Sequence, residues 1–120
     1  MPLVVVYHKT GLSGETLGRL ARTLPAFVVD ALHVAEDVQS YLTEVEVEVR
    51  AQALGPDVVS GTDLEVEVWA DECPDRKASL RVRTDLISTA VRDFLVSRGD
   101  DLSVCVRILL TPWVNSEEKS

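Results

Sequence analysis

A short apolar run near the start of the chain constrains the possible folds more than any other feature. Residues 3–7 read Leu-Val-Val-Val-Tyr, and the segment from Val4 to Lys9 is predicted to be a strand. Successive side chains of a strand point to opposite faces, so a run without alternation is apolar on both faces. Such a strand is typical of the centre of a sheet whose two faces are both covered.

The next segment has the pattern of a helix. Ser13 is a good N-cap after the turn at residues 10–12, and apolar residues then recur at helical spacing to about His33. Pro25 lies inside this helix and removes one backbone hydrogen bond, so we expect a kink or a weak point there. The apolar stripe consists of Leu17, Leu20, Ala21, Leu24, Val28, Ala31 and Leu32.

Two later segments alternate strictly between valine or leucine and glutamate. They run from Thr43 to Val49 and from Leu64 to Trp69, and this alternation predicts two half-buried strands. Residues 35–42 are predicted to be a connector, and residues 55–57 and 60–63 are turn material. The glutamates of the two predicted strands are Glu44, Glu46, Glu48, Glu65 and Glu67.

A second helix is predicted after a loop at residues 71–75, with Gly99 ending it and an apolar strand from Leu102 to Leu110 following. The order is therefore βαβ followed by βαβ. Right-handed crossovers make the strands parallel within each unit, and the units join through the middle strands or about a pseudo-twofold axis. We expect an α/β fold with one four-stranded mixed sheet and two helices on one face, as a single domain at residues 1–110 with a polar tail at 111–120.

Length, charge and composition exclude several classes of protein. The 120 residues suffice for one domain, and a net charge of −8 argues against nucleic acid and anionic membranes as partners. No apolar run approaches the roughly 18 residues of a membrane span, and the first residues lack a signal-peptide pattern, so we expect a cytoplasmic protein. Cys73 and Cys105 have no metal or redox spacing and are interpreted as ordinary thiols.

Side chains that could support metal or triad chemistry have simpler explanations. Alternating strands place glutamates on the solvated face by default, and no histidine lies near them, so no metal site is expected. His8 and His33 have no Ser or Cys partner at a recognisable spacing. The glycines at residues 11, 14 and 18 are not followed by the lysine of a phosphate-binding loop.

Pro2 offers a different chemistry. The initiator methionine is normally removed before a residue as small as proline, so Pro2 is expected to carry a free secondary amine at the head of the first strand. A chain α-amino group has an ordinary pKa of about 7.7–8.0, which leaves a useful neutral fraction at physiological pH. Pro2 is therefore a candidate catalytic base, although proline at this position is also common for reasons of methionine removal alone.

A Met1-Pro2 start on an apolar strand, two βαβ units and a short polar tail together resemble the tautomerase superfamily. The resemblance covers nearly the whole chain, and its sharp motif is Pro2 with the strand that follows. It implies that Pro2 shuttles a proton between carbon and oxygen of a small enol or 2-oxo acid. It also implies a homotrimer around a central channel, a small-molecule substrate and no cofactor.

Members of that superfamily hold the substrate's carboxylate with arginines, and here acidic residues occupy the corresponding stretches. A glutamate repels a carboxylate, so either other cations serve or dicarboxylates are not substrates. The candidate substrate-binding residues are Lys9, Arg50, Arg76 and Arg107, together with the aromatic side chains of Tyr7 and Trp113.

Two alternatives stay open. The first is a non-catalytic trimer of the same fold with a structural or ligand-binding role, which the missing arginines favour. The second is a ferredoxin-like βαββαβ module that binds a small molecule and shares the same order of elements.

Overall fold

The computed structural model describes residues 2–9, 12–33, 43–55 and 61–112, so the predicted connector, Trp113 and most of the predicted tail lie outside the described residues. The elements, in chain order, are β1 (Leu3–His8), α1 (Gly14–Leu32), β2 (Glu48–Ala53), β3 (Leu64–Asp71), α2 (Pro74–Ala78), α3 (Leu80–Ser97) and β4 (Val104–Thr111). A single 3₁₀ turn, Glu44–Glu46, precedes β2.

The four strands form one mixed sheet in the order β2-β1-β3-β4. β1 pairs in parallel with β2, and β3 pairs in parallel with β4, while β1 and β3 run antiparallel at the centre. The predicted fold class, the parallel pairing within each unit and the central position of β1 are confirmed. In a ferredoxin-like module another strand separates the two strands of a βαβ unit. The direct β1–β2 pairing excludes that alternative.

The long helices α1 and α3 pack on each other and on one side of the sheet. On this side β1 contributes Val4 and Val6, and β3 contributes Leu64 and Val66, all at most 2% exposed. The helices supply the opposing apolar layer, which comprises Leu20, Leu24, Val28, Ala31, Leu32, Ile87, Val91 and Leu95. The core therefore lies between the helices and one face of the sheet.

The helix boundaries follow local capping chemistry. As predicted, Ser13 caps α1, and its Oγ accepts hydrogen bonds from the backbone N–H groups of Glu15 (3.2 Å) and Thr16 (3.4 Å). The second predicted helix is divided into α2 and α3 at Ser79, whose φ of −116° interrupts the helical backbone. Gly99 follows α3 with a φ of 77°, a conformation that glycine adopts without steric cost.

The predicted strand from Thr43 to Val49 is wrong in its position. Thr43 and Glu46 form a capping box, in which the Thr43 N–H donates to Glu46 Oε1 over 3.2 Å, and this closes a 3₁₀ turn. The strand starts only at Glu48, so Glu44 and Glu46 do not belong to the sheet. Alternation of valine and glutamate did not distinguish the turn from the strand, because the turn leaves Glu44 exposed, as a strand with one solvated face would.

Candidate functional site

Pro2 lies at one end of the sheet, directly before the central strand β1. It is buried, and its carbonyl oxygen accepts a hydrogen bond of 3.1 Å from the Glu48 N–H at the start of β2. Leu3 pairs with Trp69, so continuing the register by one residue places Pro2 opposite Ala70 of β3. Continuing the alternation of β1 places Pro2 on the helix side of the sheet, like Val4.

Arg76 lies at the same end of the sheet, in the helical layer. Its side chain is only 4% exposed. Nε donates to the carbonyl oxygen of Leu32 at the end of α1 (3.2 Å), and Nη1 donates to that of Asp71 at the end of β3 (3.0 Å). The guanidinium thus ties together the end of α1 and the end of β3. Among the cations predicted for the site, Arg76 is the one that shares both end and layer with Pro2.

Acidic residues surround this end of the sheet. Glu44 and Glu46 occupy the turn that leads into β2, Asp71 is the last residue of β3, and Glu72 follows it. Glu72 is paired with Lys77 at 3.1 Å. The structure therefore keeps acidic groups near Pro2, as the sequence indicated, and Arg76 supplies a buried positive charge among them.

Lys9 lies at the opposite end of the sheet. At about 3.3 Å per residue it is about 23 Å from Pro2 in the same protomer. Its ammonium group is 3.5 Å from the carboxylate of Asp63. Hydrogen bonds from the backbone and side chain of Ser103 lower the pKa of Asp63, and Lys9 adds to this effect. Lys9 thus belongs to a cluster of polar contacts with Asp63 and Ser103, which joins the loops at the far end of the sheet.

Tyr7, Arg50 and Arg107 lie on the face of the sheet that the helices do not cover, which we call the open face. The register aligns the side chains from all four strands in three rows across the sheet, and the pair Asp71–Thr111 lies beyond them at the Pro2 end. From the Pro2 end, these rows are Glu48–Leu3–Trp69–Leu109, then Arg50–Val5–Glu67–Arg107, then Gln52–Tyr7–Glu65–Cys105. The first row is largely apolar, and charged groups dominate the second.

Some charged side chains of the open face have partners among the described residues, and others do not. Arg50 forms an ion pair with Glu48 on its own strand at 3.2 Å. Burial raises the pKa of the Tyr7 hydroxyl, and the charge of Glu67 and a hydrogen bond to it raise this pKa further. Arg107 is exposed and has no hydrogen bond or ion pair with any described residue.

The structure thus brings together Pro2 and Arg76 and separates them from the other predicted site residues. Tyr7 lies about 17 Å along β1 from Pro2, at about 3.3 Å per residue. Sequence analysis missed two interactions, the hydrogen bonds between Asp63 and Ser103 and the effect of Glu67 on the pKa of Tyr7. Both depend on strand register, which no local sequence pattern reveals.

Other kinds of site have little support within residues 2–9, 12–33, 43–55 and 61–112. In these ranges no three His, Cys, Asp or Glu side chains are grouped as a metal site would require. Nor does any helix in them have the length and apolar character needed to cross a bilayer. Cys73 and Cys105 are both free thiols. An open depression of about 430 Å³ lies along α3, on the outer face that carries Val82 and Leu86.

Comparison with solved structures identifies the fold. No protein-family model and no curated protein matches the chain. A wild-type symmetric trimer of a fused 4-OT is similar, with a TM-score of 0.61, 20% identity and coverage of 92% of this chain and 85% of that one. A 5-carboxymethyl-2-hydroxymuconate delta-isomerase has a TM-score of 0.63 and 13% identity, and the match covers 97% of this chain and 85% of that one. A malonate semialdehyde decarboxylase has a TM-score of 0.59 and 16% identity, and the match covers 93% of this chain and 88% of that one.

Proposed function

Given that the chain has the fold of the tautomerase superfamily, we propose that it is a cofactor-independent tautomerase or isomerase with Pro2 as its general base. The observation that carries this proposal is the position of Pro2, buried at the head of the central strand with Arg76 at the same end and in the same layer. The substrate class is a small enol or 2-oxo acid. The proposal requires removal of Met1, because only then is the nitrogen of Pro2 an amine.

The chemistry is a proton transfer within one substrate molecule. The neutral amine of Pro2 removes the hydroxyl proton of an enol. The electron pair of that O–H bond then forms the carbonyl, and the C=C π electrons move onto the carbon that is next to the carbonyl carbon. The protonated amine then returns the proton to that carbon, so the amine is regenerated and no atom is gained or lost. A positioned base of this kind contributes about 10²–10⁴-fold to the rate.

Arg76 is the proposed binding residue for the substrate's carboxylate. Two of its N–H groups already donate to the carbonyl oxygens of Leu32 and Asp71, which fix the orientation of the guanidinium. A planar guanidinium matches the geometry of a carboxylate, which favours Arg76 as the anion-binding group at the Pro2 end. Because glutamate and aspartate side chains crowd this end of the sheet, monocarboxylates are preferred over dicarboxylates.

Assembly into a homotrimer is part of the proposal. The open face carries Leu3, Val5 and Trp69, and Trp69 is 38% exposed in the single chain. The row that contains Leu3 and Trp69 lies at the Pro2 end of the sheet, so a second copy that covers this row also lies close to the end that carries Pro2. One solved structure of this fold is a symmetric trimer.

The deciding experiment combines mass and rate. Intact mass spectrometry measures whether Met1 is removed, and absorbance spectroscopy follows the ketonisation of phenylenolpyruvate by wild type and by Pro2→Ala. We expect the variant to lose about 10²–10⁴-fold in rate with little change in melting temperature. The matched control is Pro25→Ala, the same replacement inside α1, which should leave the rate unchanged.

The same measurements separate the enzyme from its non-catalytic alternative. A retained Met1, or equal rates for wild type and Pro2→Ala at every pH tested, would remove Pro2 from the mechanism. The ion pairs that occupy Lys9 and Arg50 favour this alternative, because those two cations are then unavailable to a substrate. A trimer without keto–enol activity would establish the structural or ligand-binding role instead.

A further inference from the structure

The charge of the open face changes across the sheet, from its centre to its two edges. Its centre is negative, because Glu65 and Glu67 project from β3, between β1 and β4. Its β4 edge is positive, because Arg107 is exposed there without a partner among the described residues. The β2 edge is nearly neutral, since Arg50 is paired with Glu48.

We propose that the open face binds a second copy of this chain, with the β4 edge of one protomer against the centre of the next, an arrangement we call edge to centre. In this arrangement Arg107 of one protomer pairs with the Glu65 and Glu67 carboxylates of the next. This inference rests on the proposed self-association and specifies its geometry. The two surfaces are complementary in charge, and the adjacent row of Leu3, Trp69 and Leu109 supplies apolar area to exclude water from the ion pairs.

Other ways of joining two open faces satisfy the charges less well. A two-fold stack centred between β1 and β3 places Glu67 over Val5 of the copy and Arg107 over Arg50, where like charges repel. A stack centred between β3 and β4 pairs Arg107 with Glu67 but leaves Leu3 and Val5 of β1 in water. An edge-to-centre contact is heterologous, and such contacts form rings where the rotation between copies closes and open filaments where it does not, rather than two-fold dimers.

Charge reversal tests the proposed pair. We expect wild type to sediment as a ring of at least three copies and Arg107→Glu to weaken assembly by at least about tenfold in dissociation constant, because it sets three like charges together. Arg81→Glu, at an exposed cation on α3, makes the same change in net charge and should leave assembly unchanged. The double variant Arg107→Glu/Glu67→Arg should regain much of the lost affinity.

Arg107 and Glu67 are also register partners within one protomer, so the contact between protomers needs its own measurement. In Arg107→Lys, a carbodiimide joins the introduced amine to a carboxylate at zero length, with loss of water. When nitrogen-14 and nitrogen-15 protein exchange subunits, a contact between protomers gives cross-linked β3–β4 peptides of mixed isotope. Cross-links of a single isotope only would place the pair within one chain and overturn the proposal.

The outcomes distinguish this inference from the function on which it rests. A monomeric wild type contradicts the self-association itself, and a dimer contradicts the edge-to-centre geometry. A ring that Arg107→Glu leaves as tight as Arg81→Glu overturns the role of Arg107 while self-association stands. Far-UV circular dichroism checks that each variant folds. If Arg107→Glu does not fold, Arg107→Gln removes the charge without reversing it and should still weaken assembly.

Discussion

The two faces of the sheet carry different kinds of side chain. On the helix side, Val4, Val66 and Val68 are completely buried, and the long helices contribute mainly apolar side chains to the core above them. On the open face, apolar, acidic and basic residues share the same strands, and charged partners occupy neighbouring positions. The first face has one function, which is to hold the fold together. The second face carries charged and apolar groups that can recognise another surface.

The largest expected difference between the faces is in stability. Leu95→Ala removes a side chain that is 1% exposed on the helix side and should cost about 2–5 kcal/mol, because it leaves a cavity in the core. Leu109→Ala makes the same chemical change on the open face. It should lower the stability of the isolated chain much less and mainly weaken assembly.

Urea unfolding at several protein concentrations measures both effects. The loss in Leu95→Ala should be present at every concentration, whereas the loss in Leu109→Ala should depend on concentration, as expected where folding is linked to assembly. Equal, concentration-independent losses in the two variants would show that the open face is a core face like the other.

A smaller effect is expected at the end of the sheet opposite Pro2, where both faces meet the loops. Because hydrogen bonds from Ser103 lower the pKa of Asp63, its carboxylate stabilises the fold above the ordinary aspartate pKa of about 3.9. This contribution is lost as the pH falls through the lower pKa of the folded state. Asp63→Asn should therefore melt below wild type at pH 7, and the difference should shrink in acid.

Asp85→Asn, on the exposed outer face of α3, is the matched control and should melt like wild type throughout this range. A constant difference between Asp63→Asn and wild type from neutral pH to acid would mean that the ionisation of Asp63 does not contribute.

The smallest effect concerns the hydroxyl of Tyr7 on the open face. Burial and the neighbouring Glu67 and Glu65 raise the pKa of Tyr7, so the folded protein favours the neutral form. That preference stabilises the fold below the ordinary tyrosine pKa of about 10 and is lost as the pH rises through the higher pKa of the folded state. An ultraviolet titration should show late ionisation that Tyr7→Phe abolishes and Tyr41→Phe retains.

Much of the fold could be predicted from local pattern. The doubly apolar β1 indicated a central strand, Ser13 indicated the start of α1, and Gly99 indicated the end of α3. The start of β2 could not be predicted, because the capping contact between Thr43 and Glu46 competes with an alternation that suits a turn equally well.

The candidate site divides in the same way. The sequence by itself marked Pro2, because proline after the first methionine at the head of an apolar strand is a local signal, and it marked the scarcity of cations in the expected stretches. Only the tertiary structure decided which cation accompanies Pro2. Arg76 reaches that end of the sheet because β3 runs antiparallel to β1 and brings α2 beside the end of α1. Arg107 lies in the same row as Glu67 through the β3–β4 register, and register is set by pairing between strands distant in sequence, which no local pattern contains.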